Sequence, residues 1–346
     1  MTLNELLTLA IDQQASDLHL SSGLPPVLRV HGKLQRQDHA PLTAQAIRTM
    51  AESMMTPDQR QTWTPLIDVD GAWEQPGVGR FRFNAYTHER GPSLALRHIA
   101  SRIPSLAQLG TPTVLSELAL KPKGLLLITG PTGSGKSSTL AALLQHLMAH
   151  QPCHLITIED PIEFIHDSAL GLIHQRQLGM HAASYGQALR AALREDPDVI
   201  MVGELRDLET MQLALTAAET GHLVLATLHT AGAAQTIDRL VDAFPAGDKE
   251  MVRSMLAESL LAIGSQVLCE GKSGTRVAAY EVLVATAAAR TLIRENKLAQ
   301  LYSVMQTGAS HGMQTLDQAL SDVVRKQLVI APVARRLARN PDNMPL

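Results

Sequence analysis

Apolar and polar residues along the first hundred positions follow two different periods. Leu3, Leu6, Leu7, Ala10 and Ile11 recur at helical spacing, whereas Leu18 and Leu20 alternate with polar neighbours in SDLHLSSG, the pattern of a half-buried strand. VLRVHGKLQ, with Gly32 at its turn, predicts a hairpin. LTAQAIRTMAESMM predicts a helix with Leu42, Ile47, Met50 and Met54 on one broad face. GVGRFRFNAYTHERG and PSLALRHI predict two strands split at Arg90-Gly91. Together residues 1–100 predict a small α+β domain, and SRIPSLAQLGTP (101–112), with two prolines and a glycine, an interdomain linker.

Beyond the linker the pattern changes. GLLLITG (124–130), HLITIED (154–160), DVIMVGE (198–204) and HLVLATLH (222–229) are apolar runs without alternation, separated by helical segments. Strands buried on both faces and alternating with helices make a parallel α/β sheet. From about residue 231 the chain reads as helices: AAQTIDRLVDAF, DKEMVRSMLAESLLAIGSQVL, ATAAARTLIRENK and MQTLDQALSDVVRKQL, with VAAYEVLV (277–284) adding one late strand. Residues 113–346 therefore predict an α/β domain with C-terminal helices.

Composition narrows the possibilities. With 346 residues, two domains are expected, and with 3% aromatics their cores must come from Leu, Ala, Ile, Val and Met. The net charge of −3 gives no general attraction to nucleic acid or anionic membrane, and no aromatic-interleaved basic patch argues for a DNA-translocating motor. Cys153 and Cys269 form no CxxC pair, which argues against a zinc site or disulfide framework. The N-terminus has no basic flank or cleavage site, and no apolar run spans a bilayer, so a cytoplasmic protein is expected.

The chemistry begins at GPTGSGKS, Gly130, Pro131, Thr132, Gly133, Ser134, Gly135, Lys136 and Ser137, followed by Ser138. It lies between an apolar strand and a helix and fits the phosphate-loop pattern. Backbone amides converge on phosphate there, Lys136 is placed for the β- and γ-phosphates, and the Ser137 hydroxyl for Mg²⁺. DPDVIMVGELRD ends a second strand in acid, with Glu204 at the tip to hold the Mg²⁺ shell or polarise water. ITIEDPIEF ends a third in Glu159, Asp160 and Glu163, with Pro161 turning the chain. Small-molecule kinases also carry phosphate loops, but no arginine-rich lid is visible. In TGHLVLATLHT, His222 and His229 are seven residues apart, about 23 Å on a straight strand and on opposite faces, so they cannot share a metal ion. His229, at the carboxyl end, is expected to lie by the γ-phosphate. His222 follows Gly221, a predicted helix cap, at the opposite end, and takes part only through a ring neighbour.

These motifs, with ALREDPDVIMVGELRDLET, TIDRLVDAFP and ASDLHLSSGLPPVLRVHGKL, resemble the PilT-type ATPases of type IV pilus retraction, within the hexameric secretion ATPases, over nearly the whole chain. The resemblance implies a PAS-like N-terminal domain, a RecA-like C-terminal domain and a six-membered ring that hydrolyses ATP with Mg²⁺ at a pilus base on the inner membrane. A platform protein and paralogous pilus ATPases would be its partners. It implies Glu163 as catalytic base, Glu204 as the second acid, and His222 and His229 in a nucleotide-sensing box. It also implies arginines delivered across a subunit interface, best matched by Arg82 and Arg97, with Arg80 a weaker match. One departure stands out. The retraction signature AIRNLIRE reads AARTLIRE here, with Ala289 for Ile and Thr291 for Asn. That change leaves open an accessory ring subunit with weak hydrolysis. The two scattered cysteines cannot form the tetracysteine subdomain common in assembly ATPases.

Overall fold

A computed structural model of the chain describes residues 2–30, 32–99, 102–272 and 274–343. Ser101 of the predicted linker and residues 344–346 of the tail lie outside the described residues. The chain forms two compact units, Met1–Arg102 with Pro161–Phe164, and Ile103–Asp160 with Ile165–Leu346.

The first unit is an antiparallel sheet of β1 (Asp17–Ser21), β2 (Val27–Val30), β3 (Lys33–Arg36), β4 (Val69–Gln75), β5 (Gly79–His88) and β6 (Gly91–Ile99), in the order β3-β2-β1-β6-β5-β4. Its inward positions, Leu18, Leu20, Phe81, Phe83, Leu94 and Leu96, form one cluster with Leu6, Leu7 and Ala10 of the helix Leu3–Asp12. That helix starts in a capping box between Thr2 and Glu5, which satisfies two backbone donors that would otherwise be free. Because side chains alternate along a strand, Arg82 and Arg97 fall on the face opposite the cluster, where β5 and β6 place them directly abreast.

The second unit is a seven-stranded sheet: β7 (Gly124–Thr129), β8 (His154–Glu159), β9 (Leu172–Gln177), β10 (Val199–Val202), β11 (Leu223–Leu228), β12 (Leu260–Glu270) and β13 (Arg276–Val284), ordered β13-β12-β7-β11-β10-β8-β9. Every neighbouring pair is parallel except β12 with β13. Leu125 and Leu127 belong to one hydrophobic cluster, Leu126 and Ile128 to another, so β7 is covered on both faces. This explains the unbroken apolar runs and gives the RecA-like α/β architecture expected of the chain.

One segment differs from its sequence reading. DKEMVRSMLAESLLAIGSQVL reads as a single helix, but the helix ends at Ser259 and Leu260 opens β12. A strand paired on both edges and covered on both faces has no alternation, so its period cannot be told from a buried helix. The edge strands β9 and β4 also carry too weak an apolar signal to stand out.

Candidate nucleotide site

The phosphate loop leaves β7 at Gly130 and enters the helix Lys136–His150 at Gly135. Glycine is required at both ends of this turn. Gly130 has φ +142, and a Cβ there would lie 2.2 Å from the backbone oxygen of Gln266 on β12. Gly135 has φ +89, and a Cβ there would lie 2.9 Å from Gln266 Nε2. The helix start carries no side-chain cap, so its first amides stay open to an anion. Lys136 Nζ is held to the carbonyls of Gly130 at 2.8 Å and Pro131 at 3.0 Å, inside the curve of its own loop.

Behind the loop runs a buried polar chain that the sequence did not reveal. Thr139 Oγ1 donates to Gln266 Oε1 at 2.8 Å and lies 3.0 Å from the Tyr280 hydroxyl, which lies 3.4 Å from Thr111 Oγ1. Since Thr139 spends its proton on Gln266, Tyr280 donates to Thr139 and Thr111 to Tyr280. Burial pushes the Tyr280 phenol's pKa up, which keeps it a donor. The chain ties the loop's helix to β12 and β13. Its only sequence signal was a glutamine within an apolar run, misplaced with the helix reading.

The acids stand at the carboxyl ends of β8 and β10. These two strands are direct neighbours, but β11 separates β10 from β7. Glu204 is therefore two strands away from the phosphate loop, and the residue following β11 stands between them. That residue is His229. Its Nδ1 lies 3.2 Å from Thr132 Oγ1 and its Nε2 lies 3.4 Å from Glu204 Oε1. The other Glu204 oxygen accepts from Arg206 Nε at 2.7 Å. This hydrogen bond, chiefly, pushes the guanidinium pKa upward. The hydroxyl of Tyr185 is pushed beyond its usual range by burial and then by Asp160. Glu159 is buried and accepts from Thr157 Oγ1 at 2.6 Å and Gln175 Nε2 at 3.2 Å.

The structure thus brings Gly130–Ser138, Glu204 and His229 together in the second unit. His222 is at the opposite end of β11, where its Nδ1 lies 3.1 Å from the Ala217 carbonyl. Glu163 groups with the first unit, as do Arg82 and Arg97. Within that unit Arg97 Nε donates to Asp17 Oδ1 at 2.8 Å, while Arg82 Nη2 is 4.0 Å from Asp70 Oδ1. Both guanidiniums remain substantially exposed, with 69% of the Arg97 and 47% of the Arg82 side chain accessible, so their charge is available to an incoming anion. Arg80 pairs in register with Ile99, next to them on β5.

The departing motif folds as a capped helix, Ala287–Arg294. Ala289 is fully buried in the main cluster and Thr291 Oγ1 donates to Ala287 O, one turn back, at 3.0 Å. Arg290 donates to the carbonyls of Ala257, Glu258, Leu260 and Ala285, closing the end of the helix Lys249–Ser259 where it becomes β12. Two substitutions therefore leave the frame of this motif standing.

Type II/IV secretion system proteins match this chain over residues 1–335. The chain belongs to that family. Among its curated relatives, the type IV pilus retractation ATPase PilT of Pseudomonas aeruginosa is 50% identical over 343 residues, 99% of this chain and 100% of that protein. A twitching motility protein of Neisseria gonorrhoeae is 52% identical over 320 residues, 92% of this chain and 86% of that protein. A crystal structure of the pilus retraction motor PilT with bound ADP aligns with a TM-score of 0.92 at 42% identity, covering 99% of each chain. For a secretion family member, the phosphate loop and acidic tips described above lie where a nucleotide site is expected, beyond the carboxyl ends of the strands.

Proposed function

We propose that this chain is an ATPase whose hydrolysis drives type IV pilus retraction and twitching motility. The observation that carries the hydrolytic site is the bridge from Thr132 through His229 to Glu204, which joins the phosphate loop to an acid. The retraction role rests on the full-length likeness to PilT.

In this reading the loop amides and Lys136 hold the β- and γ-phosphates. Lys136 exchanges its two carbonyl partners for phosphate oxygens, a charge-assisted gain. Glu163 accepts the proton of the attacking water, and Arg82 and Arg97 of a neighbouring copy balance charge on the γ-phosphoryl oxygens. A hydroxyl and a carboxylate are the hard oxygens Mg²⁺ takes from a protein when ATP supplies others, so Ser137 and Glu204 fit it. Bound with ATP, Mg²⁺ would supply charge neutralisation across the phosphates. The working form is a homo-oligomeric ring, six copies by family likeness, at the cytoplasmic side of an inner-membrane pilus base with a platform protein and paralogous ATPases. Residues 1–100, 101–112 and 113–346 serve as sensor-like domain, linker and motor domain.

The purified protein should hydrolyse ATP, and a strain lacking it should stop twitching. Arg82→Ala and Glu163→Ala rings should each be slow, and mixing them should restore part of the activity. Mixed rings no faster than either parent would remove the arginines from the neighbour's site. Absent turnover in the wild-type protein would favour the accessory-ring reading that Ala289 and Thr291 left open.

A further inference from the structure

The acidic tips of β8 and β10 stand abreast. Ile158 and Val202 are the last pair of the parallel register, and Asp160 and Glu204 each follow two residues beyond it. Like charges facing each other on neighbouring strands repel. One guanidinium spans the pair. Arg206 Nε is 2.7 Å from Glu204 Oε2, and its Nη1 is 3.4 Å from Asp160 Oδ2.

The backbone explains why Arg206 reaches back to this place. At Gly203 a Cβ would sit 3.1 Å from the Tyr185 hydroxyl and 3.2 Å from the Ile158 carbonyl, so the chain turns tightly against β8. Leu205 is buried, and its amide donates to the Thr227 carbonyl at 3.0 Å, pinning the next residue to β11. With Gly203 and Leu205 fixed, the Arg206 side chain folds over the strand ends. Its hold on Oε2 leaves Oε1 turned to His229 at 3.4 Å.

We propose that Arg206 is a positioning residue for hydrolysis. By neutralising Asp160, it keeps the Glu204 carboxylate aimed at His229 and the phosphate loop. It acts through Glu204 and does not itself contact the nucleotide. This rests on the reading of Glu204 as a hydrolytic acid. Removing the guanidinium leaves two carboxylates abreast, and Glu204 turns away. Removing the Asp160 charge as well takes away the reason for that turn.

The test uses the full-length protein and four variants: Arg206→Gln, Arg206→Lys, Asp160→Asn and the double variant Arg206→Gln/Asp160→Asn. Steady-state ATP hydrolysis, binding of a fluorescent ADP and the unfolding midpoint are measured for each. Arg206→Gln should lower kcat about tenfold or more, in the range of a lost electrostatic contact at a reacting centre. KM and ADP affinity should stay within about threefold, because the phosphate loop is untouched. Arg206→Lys should fall between, keeping the charge without the planar fork. Adding Asp160→Asn to Arg206→Gln should return about threefold or more of the lost kcat. A folded Arg206→Gln protein with wild-type kcat overturns the proposal. So does a double variant that recovers nothing, which is the outcome for a guanidinium acting directly on the nucleotide. Should Arg206→Gln unfold, Arg206→Lys with and without Asp160→Asn carries the same comparison. A wild-type protein without turnover would fail the ATPase reading and this inference with it, and that control keeps the two failures apart.

Discussion

The two ends of the parallel sheet are made from the same strands and differ in what their polar groups do. At the amino end the groups are spent on one another. His154 N donates to Asp198 Oδ2 at 2.8 Å, the Asp198 amide to the His154 carbonyl, the Leu223 amide to the Asp198 carbonyl, and the Gly124 amide to the His222 carbonyl. This lateral lacing fixes the order β7-β11-β10-β8 and leaves little chemistry over. At the carboxyl end the strands stop short of one another, and the loops bring a lysine, a histidine, an arginine and several acids together. His222 and His229 are separated only by β11. Which end of the strand a histidine occupies, and not its residue type, sorts structural from chemical work here.

The largest effect that sharpens this contrast is at the carboxyl end. Lys136→Ala or Glu204→Ala should lower turnover by about a thousandfold, as for loss of a central electrostatic contact, with the unfolding midpoint nearly unchanged. Turnover kept by the combined variant would overturn the site.

The contrast breaks at His166, a histidine on the carboxyl side that is structural. Burial holds its pKa down from 6.5 to about 4. The unfolded chain therefore takes up this proton at higher pH than the folded one. Its contribution to stability is complete above pH 6.5 and is lost as the pH falls through 6.5 toward 4, on the order of 3 kcal/mol. Chemical denaturation across that window should show a flatter profile for His166→Gln than for the wild type.

His229→Ala cuts the bridge between Thr132 and Glu204 and should lower kcat by about tenfold, whereas His222→Ala should stay within about twofold in an assembled ring. Equal losses at both histidines would merge the two ends. The smallest change belongs to the amino end. Asp198→Ala removes an exposed lacing bond and should cost about 1 kcal/mol of stability in urea titrations, with turnover per folded protein unchanged.

Much of this arrangement is visible in the residues alone. The phosphate loop is legible because its glycines answer a geometric demand, and at Gly130 the structure shows the obstacle, the Gln266 backbone. The four buried strands are legible because continuous apolar runs bounded by turns have few other uses. What lies beyond reach depends on pairings between distant segments. Nothing in LLAIGSQVL says that it pairs with β7, so the run reads as helix and hides Gln266 with it. Strand order is not written in any single run, so nothing in the acidic tips of β8 and β10 tells that β11 lies between them and the loop. Arg206 sits in GELRD in full view, yet its task depends on Asp160, 46 residues earlier in the chain.

That inserted strand works as a gauge. Neighbouring strands lie about 4.8 Å apart, so two intervals set the phosphate loop and the acid strand roughly 10 Å from each other. His229, at the end of the inserted strand, stands in that interval and bridges it, and a directly adjacent acid strand would halve it. The spacing of the two strands is thus set by main-chain hydrogen bonds, while side chains such as His229 and Arg206 decide what fills the interval and where Glu204 points.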